Sequence, residues 1–130
     1  MQMKWIMSIV FITLLTSCET GQTSPEYFSI PDKDIPGLEE RALHGDGYAG
    51  FVLGDFFLFT PRDRASALYW FKVSARDGDV RGMDNAASLL LEKKDDPESQ
   101  TQARYWLEKA KEKGDALAAS RLATLDSNRE

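Results

Sequence analysis

The chain has 130 residues, 42% of them hydrophobic and 28% charged, with a formal net charge of −5. That length holds one domain and leaves little room for a second. One Cys excludes an intramolecular disulfide framework and a Cys-rich zinc site, one His excludes the two-His metal motifs, and the acidic balance lacks the basic stripe that a nucleic-acid binder needs.

Residues 1–17 carry a single charge, Lys4, followed by an apolar run of 11 residues from Trp5 to Leu15. A helix needs about 20 residues to span a bilayer, so a basic start, a short apolar centre and small residues after it read as an export signal. The run closes on Leu15-Thr16-Ser17-Cys18, which resembles the lipobox of bacterial lipoproteins. The resemblance implies that Cys18 is acylated and becomes the first mature residue, which also accounts for one unpaired Cys in an exported chain. Two or three acyl chains anchor stably, at roughly 0.8 kcal/mol per buried methylene. Residue 19 is Glu rather than an Asp resembling an inner-membrane retention signal. The expected location is therefore the outer membrane, facing the periplasm.

Residues 18–36 form the acylated Cys and a tether that holds Pro25, Pro31 and Pro36 among Ser, Thr, Gly and acids. With no apolar period it should not pack, and as a coil it spans on the order of 25 Å. Asp32-Lys33-Asp34 with Gly37 is no calcium loop, since Pro36 and Leu43 occupy ligand positions.

The remainder, residues 37–127, repeats. Gly45-Asp46, Gly78-Asp79 and Gly114-Asp115 stand 33 and 36 residues apart, and each is followed at the same offsets by small or apolar residues. These are Ala49, Leu53 and Gly54, then Gly82, Ala86 and Ala87, then Ala118, Leu122 and Ala123. Thr60-Pro61 and Asp96-Pro97, Ala67 and Ala103, and Tyr69-Trp70 and Tyr105-Trp106 recur at a spacing of 36. Such a period reads as an array of helical hairpins. In each unit the Gly ends one helix in the left-handed conformation and the Asp caps the next. Thr60 and Asp96 are expected to cap the second helices, with Pro61 and Pro97 at the first position. The three-residue deficit of the first repeat should fall in its first helix or the turn. Leu38 to Leu43 reads as a short helix covering one end, and the third unit, stopping after its first helix, as a cap at the other.

The Gly-Asp, Ala, Leu-Gly and Ala-x-x-Trp positions resemble the SEL-like repeat family, relatives of the tetratricopeptide repeat, over residues 45–125. Ala86-Ala87 in place of Leu-Gly, and Ser74 in place of Ala, depart from its pattern. The implied fold class is all-α: a short α/α solenoid of about two repeats plus a capping helix after a disordered tether.

No residues are assigned to catalysis, a metal or a cofactor. Gly45-Asp46-Gly47-Tyr48-Ala49-Gly50 fits the dinucleotide pattern G-x-G-x-x-G, but that fingerprint needs a βαβ unit. Asp77, Asp79 and Asp84 read as a cap plus solvated acids, and His44 as a helix end. What remains is surface. If the tetratricopeptide arrangement carries over, a concave face is lined by Tyr48, Phe51, Asp55, Leu58 and Phe59 in the first repeat and by Arg81, Asp84, Ser88, Leu91 and Glu92 in the second. One end of that groove would be aromatic and the other charged. Within Phe56-Phe57-Leu58-Phe59 only Phe57 matches an expected buried position, so the excess apolar surface marks a partner site unless the Leu38–Leu43 helix covers it. The expected function is a lipid-anchored adaptor for another envelope protein. The alternative comes from a second resemblance, to immunity proteins that neutralise type VI secretion effectors such as phospholipases. Either way the partners are a periplasmic protein and, through Cys18, the membrane.

Overall fold

In the computed structural model, which describes residues 29–60 and 63–128, the Gly-Asp steps organise everything else. Gly45, Gly78 and Gly114 have φ of 98°, 89° and 90°, a left-handed conformation that costs glycine nothing. The amide of the following Asp donates back to a carbonyl five residues earlier: Asp46 to Arg41, Asp79 to Ser74 and Asp115 to Ala110, each at 3.1 Å. This is the Schellman closure of the preceding helix. The same Asp then caps the next helix, its carboxylate accepting from Ala49, Arg81 and Leu117 amides at 3.0, 2.9 and 2.9 Å. One dipeptide thus ends one helix and starts the next.

The result is all helical, with no strand among the described residues: α1 (Ile35–Leu43), α2 (Gly47–Phe59), α3 (Arg64–Arg76), α4 (Val80–Leu91), α5 (Pro97–Glu112) and α6 (Ala116–Ser127). Each helix packs on the next in sequence, and α2 also touches α4, the arrangement of an α/α solenoid. The helices begin earlier than position 37. A 3-10 turn at Asp32–Asp34 leads into α1, and Ile35 packs with Leu38 and Ala42 against Ala49, Leu53, Trp70 and Val73. Residues 32–36 of the expected tether are therefore folded. None of the described helices is long and apolar enough to cross a membrane. Cys18 and the export signal lie outside the described residues.

The start of α3 corrects the sequence reading. Asp63, not Thr60, is its cap: the carboxylate accepts from Ala65 and Ser66 amides, both at 3.1 Å, and from the Ser66 hydroxyl at 2.6 Å. Asp96 caps α5 in the same way, from the Glu98 amide at 3.2 Å and the Ser99 hydroxyl at 2.6 Å. Thr60 instead closes α2, its amide donating to Phe56 at 2.9 Å, and Pro61 lies outside the described residues. The three-residue deficit follows. First helices α2 and α4 have 13 and 12 residues, whereas second helices α3 and α5 have 13 and 16. The first repeat lacks the opening turn of its second helix.

Small residues bring neighbouring axes together. A Cβ on Gly54 would meet the Phe71 ring at 2.4 Å, and one on Gly82 would meet the Ser74 Oγ at 2.4 Å. Phe71 and Ser74 are both fully buried. Ser74 departs from the repeat pattern with its hydroxyl satisfied, donating to the Gly47 carbonyl at 2.6 Å; the junction exchanges Ala110 against Ala118 for Ser74 against Gly82. Phe71 sits with Ala67, Ala86 and Leu89 at the centre of the array, and Trp106 spans that cluster and the next, built on Met83, Ala87, Leu107 and Leu122. Ala123, at a position buried in the earlier units, is exposed, and α6 is the last helix among the described residues.

Candidate functional site

Helices α2, α4 and α6 are the first helices of their units, and their shared face carries the residues singled out above. At its amino-terminal end the Arg81 guanidinium lies over both the Tyr48 and the Phe51 ring, 4.8 and 4.7 Å from their centroids. Arg81 also pairs with the capping Asp79 at 2.6 Å. Partial burial pushes Asp79 up, but the Arg81 hydrogen bonds outweigh it and hold the carboxyl below its usual range. At the other end a cavity of about 320 Å³ is lined by Leu58, Phe59, Arg64, Asn85, Ser88, Leu89 and Glu92. The Arg64 Nη1 donates to both carboxylate oxygens of Glu92 across it, tying the start of α3 to the end of α4.

Aromatic and charged residues therefore interleave across the groove rather than dividing it into two ends. Their exposures also sort them. Tyr48 and Phe59 are 47% and 53% exposed. Phe51 and Leu58 are half-buried and pack against the Phe71 cluster, with the Phe51 and Phe71 rings 6.3 Å apart. Phe56 is 8% exposed, more buried than Phe57, reversing the expected order. The α1 helix covers the Phe57 side through Ile35 and Leu38 and leaves Phe59 open. Leu91 does not line this groove; it faces a shallow cleft of about 900 Å³ with Leu125 and Arg104 between α4, α5 and the end of α6.

The polar floor differs most from expectation. Asp84 is not a solvated acid: its side chain is 21% exposed and its Oδ1 is buried without a hydrogen-bond partner. From α6, Arg121 comes to 3.7 Å of that oxygen and donates to the Ser88 hydroxyl at 3.0 Å, while Ser88 donates to the Asp84 carbonyl at 2.8 Å. Burial, then a hydrogen bond and repulsion from Asp115, push the Asp84 carboxyl up to about 6. The same hydrogen bond holds Asp115 down, which places the pair's proton on Asp84. Asp55, half-buried on α2, is also pushed up to about 6 by burial, against the attraction of Arg81. No hydrogen bond or ion pair reaches the Asp55 carboxylate among the described residues.

Sequence reasoning missed Arg64, Asn85, Leu89, Asp115 and Arg121. Asn85 and Arg121 were recoverable, standing 36 apart in the register of the second repeat. Asp77 and His44 take structural places at helix ends, the His44 Nδ1 donating to the Glu40 carbonyl at 2.7 Å. No group of three metal-ligating side chains occurs among the described residues. Comparison with protein-family models, curated proteins and solved structures returned no match.

Proposed function

We propose that the chain is a non-catalytic protein-binding module of the SEL-like repeat type, lipid-anchored through Cys18 and displayed on the periplasmic side of the outer membrane. The observation that carries the reading is the α2–α4–α6 face, where exposed Tyr48 and Phe59 flank the partly buried polar groups Asp55, Asp84 and Ser88. An exposed apolar residue beside a cavity with a few convergent polar groups is how interaction sites are built. The repeated Gly-Asp junction supports the repeat assignment, since such arrays present the surface of their first helices to partners.

Two experiments test it. Changing Cys18 to Ala should release or mislocalise the protein; finding it still in outer-membrane fractions would sink the anchor. Crosslinking in cells, followed by purification from detergent-solubilised membranes, should capture one protein. Phe59→Asp should abolish capture with unchanged helical circular dichroism. Phe51→Asp should instead unfold the chain, because Phe51 packs on Phe71 and a buried unpaired charge is costly. A Phe59 variant that still captures the same protein would remove the groove from the reading. Inhibition of a captured phospholipase would assign the immunity role.

A further inference from the structure

We propose that α6 is a pH-sensitive terminal latch, fastened to α4 by one proton shared between Asp84 and Asp115, whatever the groove binds. The first argument is how α6 is held. It packs mainly on α5, and its buried residues are Ala118 and Leu122, against six in α4. A helix that commits so little apolar surface opens at low cost. Its link to α4 is polar: Arg121 donates to the Ser88 hydroxyl at 3.0 Å and to the Asp84 carbonyl at 3.4 Å, and Asp84 hydrogen-bonds the Asp115 carboxylate.

The second argument is charge. Two carboxylates in hydrogen-bond contact face one cation, and their bond requires one proton between them. Asp115 caps α6, accepting the Leu117 amide at 2.9 Å, so it stays ionised and the proton belongs on Asp84, whose Oδ1 is buried. Losing that proton replaces a hydrogen bond across the α4–α6 junction with repulsion, which Arg121, 3.7 Å from Asp84, offsets only in part. Asp115 and Arg121 are the charged groups that act on Asp84. Asp55 of α2 is drawn to Arg81, Arg81 pairs with Asp79, and Lys113 at the end of α5 reaches over Gly78. With α6 in place Asp84 is raised to about 6. With α6 open, its carboxyl regains water and falls towards the ordinary 3.8. Opening therefore releases a proton and becomes easier as pH rises from about 4 to about 6.

Hydrogen–deuterium exchange on the full-length, detergent-solubilised protein at pH 4.5 and 7.5, corrected for intrinsic exchange rates, tests this. Protection of residues 116–127 should fall by at least about fivefold between the two. Asp84→Asn gives Asp115 a permanent donor, so it should hold α6 at pH 7.5 near its acid level and remove the dependence. Asp115→Asn keeps a side-chain cap and should do the same, whereas Asp55→Asn should leave the dependence of α6 in place. All three variants are checked for wild-type circular dichroism. Protection of α6 that ignores pH in the wild type would overturn the latch, as would a dependence that survives Asp84→Asn. So would an α6 as strongly protected as α3 at pH 7.5, since it would then open only with the whole fold.

Discussion

Replacing Gly54 by Ala should lower stability by about 1–3 kcal/mol, because the new methyl group meets a ring that cannot retreat. The Phe71 ring atoms would lie 2.4 Å from the added carbon, and Phe71 is fully buried between α2, α3 and α4. Phe71→Ala alone should cost about 3–5 kcal/mol through the cavity it leaves. Together the two changes should cost less than their sum, by about 2 kcal/mol. The methyl group then enters space the ring has vacated, and Ala is the better helix former. Urea unfolding of the wild type, both single variants and the double variant measures this cycle. Simple additivity would mean that α2 and α3 do not meet through this pair.

The second large effect is on pH dependence. Asp55 and Asp84 have carboxyls raised to about 6 in the fold, from 3.8. The folded chain therefore binds their protons more tightly than the unfolded chain, and stability falls as pH rises between roughly 4 and 6. Capping aspartates behave oppositely. Asp46, Asp63 and Asp96 are lowered, chiefly by hydrogen bonds from the Ala49 amide, the Ser66 side chain and the Ser99 side chain, so their contribution is present above the unfolded value and lost in stronger acid. The melting temperature should thus peak near pH 4, decline to about pH 6 and level off above it. Asp55→Asn and Asp84→Asn should each raise stability at pH 7.5 by about 1 kcal/mol, discounted for partial exposure, and change little near pH 4. A melting temperature that rises steadily from pH 4 to 6 would contradict the assignment.

The architecture was legible where the chain punctuates itself. Gly-Asp steps name the helix ends because left-handed backbone and amide capping demand those two residue types together. The start of α3 was misread because Thr60-Pro61 imitates Asp96-Pro97 at a spacing of 36, while the true caps, Asp63 with Ser66 and Asp96 with Ser99, recur at 33. Core and cap registers differ by the turn missing from α3. The groove was half legible. Repeat position identifies Tyr48, Asp55, Asp84 and Ser88, but not which of them are desolvated, since that depends on what a neighbouring unit sends across. Arg121 and Asp115 come from α6 and convert Asp84 from a surface acid into a buried one. Nor does position alone show that Leu91 turns towards α5 and α6, where Leu125 receives it.

The bridge from α6 to α4 has a thermodynamic side. Helix α6 rests mainly on α5, yet Arg121 and Asp115 reach back to Ser88 and Asp84 on α4. Local opening of the last half-repeat would carry both groups away from the groove floor. Anything that binds there and prefers the bridged arrangement must hold the chain terminus down, and its measured affinity includes that ordering free energy. Linkage would run both ways for the proposed binding: whatever tightens α6 would strengthen it, and whatever frays α6 would weaken it, without touching a single contact residue.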